Sequence, residues 1–477
     1  MSTHTHTRTP AFIIILKLFS ALPFAIFYSS LQLYLLKVGF HKDIATSLVG
    51  SVLALSFGSS LIGGYLGGRN ISYRSFFLFS IICQALGCFA FSSNNHSLIL
   101  WFICLFLLGS TGINVSLNMM LTQCYKPDDY SREKAFFLFY MSLNLGYLLG
   151  YTLAGYYGNL NQYHKLPMIV SSLAGITVFF TLFRWHLFGN SSKHESSPHS
   201  IVNHLPAILV LIIFYFCIRL LLNTPQITNA AIIGVWTLGS LIMLTILLRY
   251  YKNQRKEILA FYILLIAALA FWSAYLLAPM ALIVFIKHHV NLNAFGINIA
   301  PQWVQNINTL MIIAGATLLG AKSKRKSFHP LAIIKQFSLG LILLGSGFLC
   351  LKIGIDFTSP TSKLAFSWVI LSYVLQSLGE LLIGPIGYSL VGRLIPKQHQ
   401  AIMMGIWVTL LGVGGAIASK LSILAPYLQA HLTRTLGVYG QFFAYIGLGA
   451  ITVSAVIYLI SKQIIKPHVT LSKLDTQ

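Results

Sequence analysis

Charge is what this sequence has least of. Only 9% of its 477 residues are Asp, Glu, Lys or Arg, where a soluble chain carries about 25%. Acidic residues are scarcest, nine against 32 Lys and Arg. With 56% hydrophobic residues and a mean hydropathy of +0.76, this scarcity excludes a soluble globular protein. The six cysteines (Cys83, Cys88, Cys104, Cys124, Cys217, Cys350) include no Cys-x-x-Cys pair. They read as small apolar residues, and no metal site or cofactor is expected. No apolar run holds paired carboxylates, a central histidine or a nucleophile beside a base, so an enzyme is not expected. The polar start "MSTHTHTRTP" leads into an apolar run without a small-residue cleavage pattern, so that run reads as a first span and not as a signal peptide. The net charge of +23 comes from short basic segments such as "RYYKNQRKE" (249–257) and "KSKRKSFH" (322–329). None is long enough for a nucleic-acid surface, so no nucleic-acid partner is expected.

What the chain does have is long apolar runs. Hydropathy places spans at 11–36, 44–66, 73–92, 97–122, 134–158, 167–187, 205–222, 228–249, 258–286, 301–321, 331–351, 365–392, 400–425 and 436–461. Each can cross a hydrocarbon core about 30 Å thick as a helix. They lack the alternation over about 10 residues that marks membrane barrels. The fold class is therefore all-α and polytopic, with the lipid bilayer as its environment. An even number of spans puts both termini on one side. Most Lys and Arg fall in the loops and tails of that side, which identifies it as the cytoplasm. A multi-pass protein of the cell inner membrane is expected.

The Ser- and His-rich segment "RWHLFGNSSKHESSPHS" (184–200) follows the sixth span and reads as a linker. Two spans come next, then six more. This six, two, six order predicts a six-helix bundle over 1–188, a linker with two extra helices over 189–257, and a second six-helix bundle over 258–477. Two such bundles meeting at a midplane site are the layout of major facilitator transporters.

Among the nine acidic residues only Glu380 lies deep in a span. Lys363 and Lys397 flank it 17 residues away on either side. An ionised carboxylate at such depth costs about 2.5–3.5 kcal/mol. It must stay protonated, or face water and meet a cation. Tyr373, Gln376, Ser377, Gly384 and Gly387 share its helical face, which is too polar for lipid. Pro385 withholds a backbone donor just after it and predicts a break in the helix. A protonated glutamate serving as packing glue between helices is the bland alternative. Four basic residues also fall within spans. Lys17, Lys335, Lys420 and Arg219 lie near span ends and are expected to snorkel to the interfaces. His288 and His289 are expected in a solvated loop.

Several of these segments resemble the proton-dependent oligopeptide transporters, the peptide branch of the major facilitators. "LGELLIGPIGYSLVGRLIP" (378–396) and "MMGIWVTLLGVGG" (403–415) look like core helices ten and eleven. Phe139, Tyr140, Asn144 and Gly146 match the segment of helix five. "ALAFWSAYLL" (268–277) resembles helix seven. Trp303, Gln305 and Asn308 match helix eight, and the two extra helices match bacterial members. The departures are as plain. The helix-one stretch 19–36 lacks the family's acidic-x-x-acidic-Arg motif. Asn114 stands where a helix-four lysine is expected, Leu276 where a helix-seven glutamate is, and Gly68 replaces an aspartate before Arg69.

The resemblance implies substrate binding by Glu380, Asn308, Trp272, Trp407 and Tyr28. Glu380 would bind a peptide amino terminus and, with the other charges gone, also serve proton coupling. The expected function is a secondary active transporter, a symporter for proton-linked uptake of di- and tripeptides or a related amine-bearing solute. A monomer is expected, with a short peptide and protons as its partners. Two alternatives stay open: a facilitator or exporter of a non-peptide metabolite or siderophore, and a transport-inactive membrane scaffold.

Overall fold

The computed structural model describes residues 5–68, 71–125, 130–184, 201–294, 296–320, 330–359, 362–384, 387–425 and 432–464. Among them, thirteen helical segments are long and apolar enough to cross a membrane by length and composition. The fourteenth expected span appears as a 3-10 turn, Pro301–Val304, leading into a helix described to Gly320. The linker anticipated at 184–200, and with it the boundary at 188, lies almost entirely outside the described residues.

In chain order the first half comprises α1 (Thr5–Lys37), α2 (Lys42–Gly58), α3 (Ser60–Leu66), α4 (Tyr73–Gly87), α5 (His96–Gln123), α6 (Tyr130–Asn159) and α7 (Leu166–Phe183). The extra pair is α8 (Ile201–Asn223) and α9 (Pro225–Tyr250). The second half comprises α10 (Arg255–Tyr275), α11 (Ile283–His289), α12 (Gln305–Gly320), α13 (Pro330–Asp356), α14 (Phe366–Ile383), α15 (Gly387–Leu394), α16 (Gln400–Ile423) and α17 (Leu432–Ile464). A two-residue hairpin, Asn293–Ala294 with Ile297–Asn298, connects α11 to the Pro301 turn.

Small residues set the helix contacts, as expected where lipid removes any hydrophobic drive between helices. A Cβ at Gly146 would fall 2.3 Å from the Leu18 carbonyl oxygen, so α6 lies directly on α1. Gly345 and Gly447 press α13 onto α17 in the same way. The two halves meet along α2 and α16, where a Cβ at Gly412 would fall 2.7 Å from the Ala54 carbonyl oxygen.

Polar contacts tie the extra pair to both halves. The Arg219 guanidinium of α8 lies 5.0 Å from the Trp101 ring centroid of α5 and donates to Ser97 Oγ at 3.4 Å. Buried Asn229 of α9 donates to the Ser47 carbonyl oxygen of α2 at 2.9 Å and to Ser419 Oγ of α16 at 3.0 Å. One extra helix therefore touches both halves at their seam.

Two expected spans are interrupted. The run 258–286 ends its α-helix at Tyr275 and passes through a wider π-type turn, Ala278–Leu282, before α11. Pro279 lies within that turn and has no backbone donor. The run 365–392 divides into α14 and α15, with Pro385 between them and outside the described residues. Gln336 of α13 donates to the Leu382 carbonyl oxygen at 3.0 Å, satisfying an acceptor near the end of α14 as a membrane interior demands.

Candidate functional site

Glu380 sits in the last turn of α14. Asn308 of α12 donates from Nδ2 to Glu380 Oε2 at 2.8 Å and to Ser377 Oγ at 3.0 Å. Ser377 in turn donates to the Tyr373 carbonyl oxygen. The close approach of α12 and α14 has a local cause: Gly315 leaves room for Leu381, whose Cδ1 lies 2.3 Å from where a Cβ would stand. The Tyr275 side chain, at the C-terminus of α10, also comes close to the carboxyl group. Asn308 and Tyr275 both belong to the second half. An ionised carboxylate accepts about four hydrogen bonds. Asn308 occupies one position and holds the group in place while leaving acceptor capacity for a ligand.

Across from it stand tyrosines of the first half. Tyr28 of α1 and Tyr140, Tyr147 and Tyr151 of α6 lie within electrostatic range of Glu380. The rings of Tyr28, Tyr147 and Tyr151 form a continuous group: Tyr28 and Tyr151 have centroids 6.2 Å apart, and Tyr147 and Tyr151 5.9 Å. The tight α1–α6 contact at Gly146 and Gly150 is what brings these rings together. Phenol rings offer π faces to a cation and hydroxyls to polar backbone groups.

The expected site residues divide clearly. Glu380 and Asn308 are bonded, and Tyr28 faces them from the first half. Trp272 is one contact removed: its ring packs edge-on against Tyr275 at 5.4 Å. Trp407 is elsewhere. It is buried at 5% exposure, with its ring 5.9 Å from that of Phe261. Phe261 and Trp272 are 11 residues apart on α10, roughly 16 Å along the axis. Trp407 therefore packs on the part of α10 that precedes Trp272.

The polar face expected around Glu380 is also split. Ser377 turns to α12, whereas Gln376 packs on Gly347 of α13 and bonds Ser372 of its own helix. Sequence reasoning missed Tyr275, Tyr147 and Tyr151. No sequence signal distinguishes them from the other 20 tyrosines, because their convergence depends on which helices face one another.

Two expectations about basic residues are overturned. Lys17 does not snorkel. It is 4% exposed, donates to Asn114 Oδ1 at 2.6 Å and lies 4.9 Å from the Phe139 ring centroid. The packing of α1 against α5 and α6 encloses it, and position in the span could not reveal that. His289 is not in a solvated loop either. It ends α11, 5% exposed, between the rings of Phe285 and Tyr439 at 5.7 and 5.2 Å. Lys335 and Lys420 are exposed, as expected.

Trp303 and its neighbours join the halves at the end of the molecule where α6 finishes. Trp303 Nε1 donates to the Thr152 carbonyl oxygen at 2.9 Å, Asn306 Nδ2 to Thr152 Oγ1 at 3.0 Å, and Asn159 Nδ2 to the Asn298 carbonyl oxygen at 3.1 Å. Gly155 makes the approach possible, since a Cβ there would fall 2.2 Å from Trp303 Cδ1. Among the described residues no group of three or more His, Cys, Asp or Glu could hold a metal ion.

Residues 73–441 match the sequence model of the POT family. The dipeptide and tripeptide permease A of Salmonella typhi is 27% identical over 442 residues, covering 90% of this chain and 87% of that protein. The permease B of Photorhabdus luminescens is 27% identical over 440 residues, covering 88% of each. A solved peptide transporter POT in complex with sulfate superposes with a TM-score of 0.81 at 21% identity, covering 96% of this chain and 95% of that one. A POT family transporter in complex with 5-aminolevulinic acid gives 0.81 at 22% identity, covering 96% and 97%.

Proposed function

The chain belongs to the POT family, and on that premise we propose that it takes up di- and tripeptides, or a related amine-bearing solute, by proton-linked alternating access. The observation that carries this reading is Glu380. It is a midspan carboxylate held by Asn308, with Tyr275 of the same half beside it, and faced by Tyr28, Tyr147 and Tyr151 of the other. A substrate ammonium bound there would draw the halves together, because its charge sits on one side and its π and hydroxyl contacts on the other. Asn308 orients the carboxylate, Tyr275 lines its flank with Trp272 in support, and Tyr28 closes the pocket.

Glu380 also serves as the proton carrier, since Leu276 and Asn114 replace groups that the family resemblance leads one to expect. Proton and ammonium then compete for the same oxygens. Coupling to the gradient is accordingly weaker than for a carrier with a separate proton site. The bundles 1–188 and 258–477 would rock about the α2–α16 seam, with 189–257 as an insert packed beside it. Both termini lie in the cytoplasm, the protein works as a monomer in the inner membrane, and the Trp303–Thr152 contact closes the outer side.

A second reading has its own support. Asn114, Leu276 and Gly68 remove three expected charges, which fits a facilitator or exporter of a non-peptide solute. Proteoliposomes distinguish the two. A mixed pool of di- and tripeptides should enter and exchange, with a modest gain from an inward proton gradient. No peptide movement with or without the gradient rules out the first reading, and steep accumulation rules out the weak coupling.

A further inference from the structure

We propose that the cavity at the end of the molecule where α6 finishes binds a phosphate-type oxyanion between the two halves, either free phosphate or a phosphoglycerol lipid headgroup. The cavity measures about 590 Å³, within the range of small-ligand sites, about 300–1,000 Å³. From the first half it is bordered by Lys37 of α1 and Asn159 of α6. From the second it is bordered by Lys287 and His288 of α11, Asn298 of the hairpin and Gln302 of the Pro301 turn, among others. Asn159 lies past Gly155 on α6, and Gln302 comes before Trp303 in the chain. The cavity is therefore on the far side of the Trp303–Thr152 contact from Asn308 and Glu380.

The charges around this cavity have one sign. Lys37 and Lys287 come from opposite halves and lie within electrostatic range of each other, a repulsion that grows as this end closes. His288 lies within range of Lys287 and of Lys363. No acidic residue borders the cavity, and among the described residues neither lysine has an acidic partner. Lys37 donates to the Asn161 carbonyl oxygen at 3.2 Å; an ammonium has three donors, so it can donate to a ligand as well. Both lysines end helical segments long enough to cross a membrane, at the level where headgroups lie. Gln302 points to an occupant independently. It is 1% exposed, its Nε2 donates to the Tyr163 hydroxyl at 3.4 Å, and its Oε1 has no hydrogen-bond partner. A buried acceptor without a donor is costly. It suits an anion that also carries a hydroxyl, as protonated phosphate and a phosphoglycerol head do and a halide does not. Asn159 Nδ2 donates to the Asn298 carbonyl oxygen at 3.1 Å, and both border the cavity, so its wall is complete only while the halves meet here. An anion between the lysines offsets their repulsion and shifts the population toward that closed arrangement.

The site is tested by thermal unfolding of the purified full-length protein in neutral detergent at fixed ionic strength. Chloride is replaced by inorganic phosphate, or phosphatidylcholine in the micelles by phosphatidylglycerol. Wild type should gain several degrees from at least one replacement. Lys37→Gln and Lys287→Gln should each lose most of that gain, because the ligand needs a lysine from each half. Lys165→Gln removes a lysine that does not border the cavity and should respond like wild type. All three lysines are exposed, so the variants should fold. A gain with phosphate alone identifies the free ion. A gain with phosphatidylglycerol, with or without one from phosphate, identifies the lipid headgroup, and either result supports the site. No gain in wild type, a gain that Lys37→Gln or Lys287→Gln keeps in full, or one that Lys165→Gln loses as fully as they do overturns it. This readout does not depend on transport, so it stands or falls apart from the peptide reading.

Discussion

Replacing Glu380 by Gln removes the one charge that the proposed mechanism relies on while disturbing little else. Gln has the same length and keeps an oxygen that can accept from Asn308 Nδ2, now at 2.8 Å, so the α12–α14 contact should persist. What disappears is the charge opposite a substrate ammonium. Removing one member of a hydrogen-bonded, desolvated charge pair costs about 2–5 kcal/mol. Taking about 3 kcal/mol, and about 1.4 kcal/mol per tenfold, dipeptide affinity should fall roughly 150-fold. Titration of the purified protein with a dipeptide, followed by tryptophan fluorescence or calorimetry, reads this directly. An N-acetylated dipeptide is the control. It lacks the ammonium, so wild type should bind it poorly and Glu380→Gln should bind both compounds alike. If the variant binds the free dipeptide within threefold of wild type and still prefers it to the acetylated form, Glu380 is packing glue and the ammonium lies elsewhere.

Asn308→Ala should leave the carboxylate charged but unheld; hydrogen bonds to charged groups are worth about 1.5–3 kcal/mol, so dipeptide affinity should fall at least tenfold, measured by the same titration. Trp407→Ala should lower the unfolding temperature through the cavity it leaves, typically about 3–5 kcal/mol for a buried aromatic, while the Km in proteoliposomes stays within twofold. A larger change in Km would return Trp407 to the pocket. Asn229→Ala deletes the link from α9 to Ser47 and Ser419 at the seam and leaves Ser51, which donates to Asn229 Oδ1 at 2.9 Å, without that partner. It should destabilise by about 1–3 kcal/mol, read as a drop in unfolding temperature; no change would show that the extra pair is not anchored there. Gly155→Leu should force the Trp303 contact open and increase labelling of a cysteine placed at Thr152, whereas unchanged labelling would show that this end does not close through Trp303.

Much of this protein is decided by its sequence alone. The scarcity of charge and the length of the apolar runs require a bundle of spanning helices, since no other use of such segments satisfies the backbone. The six, two, six order and the depth of Glu380 follow from counting between basic loops. Pro279 and Pro385 mark where the helices bearing Tyr275 and Glu380 stop, although only Pro385 suggested a break beforehand. Asn308 was legible because its segment resembles the family's.

Tertiary structure decided the rest, and for one reason: hydropathy records how deep a residue lies but not which way its helix faces. Trp272 and Trp407 are alike in sequence, yet one leans on Tyr275 and the other fills a gap beside Phe261. Lys17 lies near enough to a span end to reach water, yet the packing of α1 turns it inward to Asn114. Tyr147 and Tyr151 gain meaning only because Gly146 and Gly150 let α6 rest on α1. The residues that carry charge could be found one at a time, but the site they form exists only once the helices are rotated and packed.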